Sequence, residues 1–179
     1  MGSASVDRPV SWLQMQETLQ RMGSGAPPHP RKRLLFVGYG NSCRSQMAEA
    51  FARHYGMGFL DAVSAGLEPD DRVPPQVRTL MAERGIALPE FAAPKPLAVF
   101  DLSSFDLTVF LTEFDIPIEA DAMLKIHTPD TRHMNDRTLR QVRDQIEARA
   151  VEIVNQLRPR PHYWPILLAY RDVHFQARA

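Results

Sequence analysis

Apolar residues recur along this chain with two alternating patterns. Leu34-Leu35-Phe36-Val37 is a short uninterrupted apolar run, as expected for a strand buried on both faces. Met47, Ala48, Phe51, Ala52 and Tyr55 then fall on one stripe at steps of three and four, which predicts a helix from about Ser45 to Tyr55. Phe59 to Ser64 reads as a second strand, closed by Ala65-Gly66. Pro75 to Arg84 reads as a helix with Val77, Leu80 and Met81 inward and Gly85 at its stop. Leu107 to Leu111 and Ala122 to Ile126 are predicted as third and fourth strands. The longest predicted helix runs from about Asp136 to Leu157, where Leu139, Val142, Ile146, Ala150, Ile153 and Leu157 keep helical spacing. Strands alternating with helices predict an α/β domain built on a parallel sheet.

Two flanking segments break this alternation. Residues 1–32 read as a helix and linker. Ser11 is placed to cap, with Gln14 as its reciprocal partner, and Trp12, Met15, Leu19 and Met22 form one stripe before Gly23. The stretch GSGAPPHPRK that follows has the prolines and glycines of a linker. Residues 159–179, PRPHYWPILLAYRDVHFQARA, form a tail too apolar to stay free of contacts. The expected organisation is therefore an extension over 1–32, a domain over 33–158 and a tail over 159–179. Either extension could serve a protein partner or a homodimer.

Composition narrows the function classes. Lys plus Arg and Asp plus Glu number 21 each, a net charge of zero, which argues against nucleic-acid and anionic-membrane partners. No apolar run is long enough to span a bilayer, and the first residues lack a signal-peptide pattern. The single cysteine, Cys43, excludes an internal disulfide and fits a cytoplasmic protein. No cofactor is expected. The six histidines, His29, His54, His127, His133, His162 and His174, include no pair at helical i, i+4 spacing. His127 and His133 flank Asp130, but rim residues of a cleft explain them better than a metal site.

The informative segment is Gly38-Tyr39-Gly40-Asn41-Ser42-Cys43-Arg44-Ser45, set between the first strand and the first helix. A strand-to-helix turn leaves backbone N–H groups unpaired, and the helix N-terminus adds positive potential. Gly38 and Gly40 are expected to supply unusual backbone angles, and Arg44 a fork of donors suited to phosphate, sulfate or arsenate. The segment is thus a candidate oxyanion cradle. A dinucleotide-binding reading is weaker, because Cys43 sits where the third glycine would be.

The string LLFVGYGNSCRSQMAEAF resembles the phosphate loop of low-molecular-weight tyrosine phosphatases and thioredoxin-coupled arsenate reductases. The resemblance continues through VSAGLEP, PPQVRTLMAERGI, FDLTVFL and PDTR, and covers roughly residues 33–158. The expected fold is a three-layer α/β domain, a four-stranded parallel sheet in order 2-1-3-4 with helices on both faces. The cradle then lies at the carboxyl end of the first strand, at the switch point of the sheet.

The resemblance also assigns roles. Arg44 matches the loop arginine, Asn41 an asparagine that holds the loop's shape, and Ser45 a serine that stabilises a thiolate. Asp130 matches the general acid that protonates the leaving oxygen. The position of the nucleophilic cysteine, however, is Gly38, which has no side chain to attack with. Cys43 matches a second cysteine that points away from the in-line position, and reads as a small buried hydrophobe. Without a thiolate to serve, Ser45 reads as the helix N-cap and Asp130 as a turn or cap residue. The two further cysteines of the redox reductases are missing from Leu111–Pro117. The leading expectation is a family member that has lost catalysis and binds phosphate, sulfate or a phosphorylated ligand through Tyr39, Gly40, Asn41, Ser42, Cys43, Arg44 and Ser45. The alternatives are a phosphatase or arsenate reductase-like enzyme of altered mechanism, with Asp130 activating water, or a chain altered at residue 38 from a native cysteine.

Overall fold

The computed structural model describes residues 30–159. The expected N-terminal helix, most of its linker and almost all of the tail lie outside the described residues; the end of the linker, Lys32, already belongs to the first strand. Strands β1 (Lys32–Gly38), β2 (Leu60–Gly66), β3 (Leu107–Thr112) and β4 (Met123–His127) alternate with helices α1 (Arg44–Tyr55), α2 (Pro75–Ala82) and α3 (Asp136–Leu157). The sheet order is β2-β1-β3-β4 and every pairing is parallel, as the sequence predicts.

One face of the sheet carries the larger core. Leu34, Phe36, Val109 and Leu111 point from the central strands into residues of all three helices, among them Met47 and Phe51 of α1, Leu80 and Met81 of α2, and Leu139 and Ile146 of α3. Truncating one of these side chains to alanine costs roughly 2–5 kcal/mol. The opposite face holds Leu35, Val37, Ala65, Phe105, Phe110 and Ile116. Among the described residues its helical cover is confined to two 3-10 turns, Leu97–Val99 and Leu102–Ser104, which the apolar periodicity does not reveal because each is a single turn.

Capping sets the helix ends. The Asn135 side chain accepts a hydrogen bond from the Thr138 N–H at 3.0 Å and starts α3. Past α2, Gly85 takes φ of 71°, a left-handed conformation that glycine adopts at little cost. One charge is buried between α2 and α3. Arg143 Nη1 donates to the Leu80 carbonyl at 2.8 Å and pairs with Glu83 at 2.7 Å, so its guanidinium is satisfied where it is desolvated.

Candidate anion-binding site

The segment from Gly38 to Ser45 closes the carboxyl end of β1, beside the end of β2. Its carbonyls are fixed by the chain that leaves β2. The Gly38, Tyr39 and Gly40 carbonyls accept hydrogen bonds from the N–H groups of Leu67 (3.2 Å), Glu68 (3.0 Å) and Asp70 (2.8 Å). In a trans peptide the N–H lies opposite the carbonyl of the preceding residue. The N–H groups of Tyr39, Gly40 and Asn41 therefore point away from residues 67–70. At the start of α1, Met47 is the first N–H to find a backbone acceptor, the Cys43 carbonyl at 2.9 Å. Those of Arg44, Ser45 and Gln46 keep the open donors of a helix N-terminus.

Asn41 holds this shape. It has φ of 49° and is 2% exposed. Its Nδ2 donates to Ser45 Oγ at 2.9 Å and Ser64 Oγ at 2.8 Å. Its Oδ1 accepts from the Lys95 N–H at 2.8 Å and from Gln46 Nε2 at 3.2 Å. The network runs on: Ser64 Oγ donates to Glu49 Oε2 at 2.6 Å, and Glu49 pairs with Arg53 at 3.0 Å and Lys95 at 3.4 Å. Both ends of the Asn41 amide thus have partners, which holds this buried polar network in one arrangement. The shape-holding role expected of Asn41 has a physical basis in these contacts.

The structure corrects the glycines. Neither Gly38 nor Gly40 has a positive φ; the left-handed residue of the loop is Asn41. The glycines serve close approach. A Cβ on Gly40 would collide with the Asp70 carboxylate, and one on Gly38 would stand 2.9 Å from Ser45 Oγ. Gly66 of β2 is constrained in the same way, since a Cβ there would lie 2.8 Å from the Tyr39 carbonyl oxygen.

Ser45 is also reassigned. The N-cap of α1 is Cys43, with φ of −135° and no side-chain cap bond. Ser45 lies inside the helix, 1% exposed, and its Oγ accepts from Asn41. Propensity favours serine as a cap, but a side chain bonded to the first N–H groups would occupy the donors that the cradle leaves open. Cys43 is partly buried against the larger core, and burial pushes its thiol up, against the hydrogen bond from Thr131 and the charge of Arg44. The thiol is therefore held away from its nucleophilic form.

The cradle opens into a small cleft of about 30 Å³, lined by Gly38 to Ser45 with Asp70, Asp130, Thr131 and Arg132. Arg44 Nη1 donates to the Thr128 carbonyl at 2.9 Å and the Pro129 carbonyl at 3.0 Å, which fixes the guanidinium against the β4–α3 connection. Among the described residues, its Nε and Nη2 have no such partner. Ser42, expected to bind anions, spends its hydroxyl on the Asp70 carboxylate, so its backbone N–H is what remains for a ligand. Tyr39 turns its ring outward, edge-to-face with Phe114 at 5.9 Å, and its contribution to the cradle is likewise the backbone N–H.

Asp130 reaches the cleft, as its expected role requires, but it is committed elsewhere. Its carboxylate accepts from the Arg132 N–H at 3.0 Å and from Arg132 Nε at 2.8 Å. Partial burial works to raise its pKa, yet these bonds and the Arg132 and Arg44 charges hold it below the ordinary carboxylate range. A group tuned this way is ionised at neutral pH, whereas a general acid needs its pKa raised. Asp70 is the site residue that sequence reasoning missed. It follows the β2 stretch VSAGLEP, and only the bonds that dock 67–70 onto the loop bring it to the cleft. His127 and His133 gather no ligand set: among the described residues no group of three His, Cys, Asp or Glu side chains could hold a metal ion.

Residues 33–161 match the family model for low molecular weight phosphotyrosine protein phosphatases. A glutaredoxin arsenate reductase of Synechocystis sp. is 29% identical over 133 residues, spanning 70% of this chain and 98% of that protein. A solved arsenate reductase in the phosphate-binding state superimposes with a TM-score of 0.67 at 28% identity, covering 71% of this chain and 99% of the other. The arsenate reductase of Archaeoglobus fulgidus gives a TM-score of 0.62 at 32% identity, covering 68% and 98%. The parallel sheet order and the extent of the match agree, and this protein belongs to the low molecular weight phosphotyrosine protein phosphatase family, whose members are phosphatases and arsenate reductases.

Proposed function

We propose that this protein binds phosphate-like oxyanions, or a phosphorylated ligand, in the β1–α1 cradle without turning them over, in regulation or protein–protein interaction. The observation that carries the reading is Gly38. It stands at the floor of a cradle whose N–H groups, Asn41 network and Arg44 are all in place, and it offers no nucleophile. The single cysteine, Cys43, has its thiol pushed up by burial, and Asp130 is held as a carboxylate. Covalent phosphoryl or arsenate chemistry has neither an attacking thiolate nor a proton donor here, whereas anion binding needs neither.

Thermal melts of the full chain test the reading. The melting temperature should rise with phosphate or sulfate, because a ligand that binds only the folded state stabilises it by mass action. The rise should shrink with added sodium chloride and vanish in Arg44→Ala. The unmodified chain should not hydrolyse p-nitrophenyl phosphate. No melting shift with phosphate, sulfate or a phosphotyrosine peptide would end this reading.

The ionised state of Asp130 favours one second reading. A carboxylate in the same cleft could accept a proton from water attacking a bound phosphoester directly. That reading requires measurable hydrolysis that disappears in both Asp130→Asn and Arg44→Ala.

A further inference from the structure

Among the described residues, the floor of the cradle contains a buried hydroxyl whose proton has no acceptor. Ser45 Oγ is 2.9 Å from the place a Cβ on Gly38 would take, and the Ser45 backbone nitrogen is 3.9 Å from it. The side chain is 1% exposed and lines the cleft. Its oxygen accepts from Asn41 Nδ2 at 2.9 Å. An amide NH2 is a donor only, and its other proton goes to Ser64, so it does not accept from Ser45 in return. Among the described residues the Ser45 O–H itself has no acceptor, and a buried hydroxyl left in that state is costly. Asn41 holds the oxygen, which leaves the proton to be directed toward the space beside Gly38.

We propose that Ser45 is an anion-binding residue: its hydroxyl donates to an oxygen of a tetrahedral oxyanion that seats deep in the cradle, in the space a side chain at position 38 would fill. The inference rests on the oxyanion-binding reading above and deepens it by fixing the depth and the floor contact of the ligand. Three features make the floor a site for an oxyanion rather than for a neutral group. The open N–H groups of α1 end there, the helix N-terminus adds positive potential, and glycine at 38 contributes no charge to oppose an anion. A hydrogen bond from a hydroxyl to a charged oxygen in this low-dielectric position is of the strong, charge-assisted kind. The two acidic side chains of the cleft, Asp70 and Asp130, are bonded to Ser42 and Arg132, which leaves the floor to Ser45.

Calorimetric titration of the full chain with inorganic phosphate tests this, on samples shown by circular dichroism to be folded. Ser45→Ala should weaken phosphate binding by about tenfold to a hundredfold, the value of one hydrogen bond to a charged group. Gly38→Ala approaches the same contact from the other side. Its methyl group would fill the floor and press on the Ser45 hydroxyl, 2.9 Å from the Cβ position, and it should weaken binding comparably while keeping the hydroxyl group itself. The double variant should lose little more than either single one, since both remove one contact. Phosphate binding unchanged in Ser45→Ala and Gly38→Ala, but lost in Arg44→Ala, would overturn the inference and leave the oxyanion-binding reading intact. No binding by the unmodified chain would instead remove that reading, and this inference with it.

Discussion

The inner and outer halves of the cradle are built on different principles. The inner half is a buried polar chain: Ser45 is bonded to Asn41, Asn41 to Ser64, and Ser64 to Glu49. The outer half is a ring of charges at the surface, with Asp130 on Arg132 and Asp70 on Ser42. The network resembles what a phosphate loop needs in order to keep its shape. The rim holds Asp130 as a carboxylate through Arg132. Shape and chemistry thus reside in separate sets of side chains, and the first can persist when the second has changed.

Breaking the inner half should have the largest effect. Asn41→Ala leaves the Lys95 N–H and the Gln46 amide without their Asn41 Oδ1 acceptor and puts a left-handed φ on alanine. The cost is about 3 kcal/mol, to be read in urea as a lower midpoint at unchanged slope. An unshifted midpoint would show that the network is not rigid. An intermediate effect sharpens the view of the rim. If the nucleophile is restored by Gly38→Cys, Asp130 should still be ionised through its bond to Arg132. Adding Arg132→Ala should then raise the turnover of an alkyl phosphate about tenfold, within the range of general acid catalysis. Equal rates in the single and double variants would mean that Arg132 does not restrain Asp130. The smallest effect is expected at Asp70. Asp70→Asn keeps the shape but removes a negative charge beside the cleft, and phosphate affinity should improve about threefold at low salt and less at high salt. Weaker binding in this variant would assign Asp70 a positioning role instead.

The division between the halves also governs what could be read from the sequence. The sheet strands and α3 follow from apolar periodicity because burial drives them, and α3 spans Asp136–Leu157 as its stripe predicts. Asn41 and Arg44 were legible from a motif whose parts lie close together in the chain. Asp70 was not, because its place depends on carbonyls of Gly38, Tyr39 and Gly40 meeting N–H groups from beyond β2. The pairing of Asp130 with Arg132 is a choice between alternatives that a short polar stretch leaves open. The place of Ser45 is hidden for a related reason. Local propensity favours serine as a cap, whereas the loop's open donors favour Cys43 at that position. The two glycines were credited with conformational freedom when their use is spatial, and only the packed neighbours Asp70 and Ser45 reveal it.

The bonds from Leu67, Glu68 and Asp70 to the loop carbonyls have a consequence for the dynamics of recognition. They fix the orientation of successive peptide planes before any ligand arrives, so the conformational entropy of the loop is already lost when the chain folds. A ligand entering such a cradle displaces water without ordering the backbone, and its association is governed by diffusion and charge rather than by loop closure. In amide exchange the same bonds would divide neighbouring groups sharply. The N–H groups of Leu67, Glu68 and Asp70 would be protected in the free protein, and those of Tyr39 and Gly40 would gain protection only once an anion occupies the cradle.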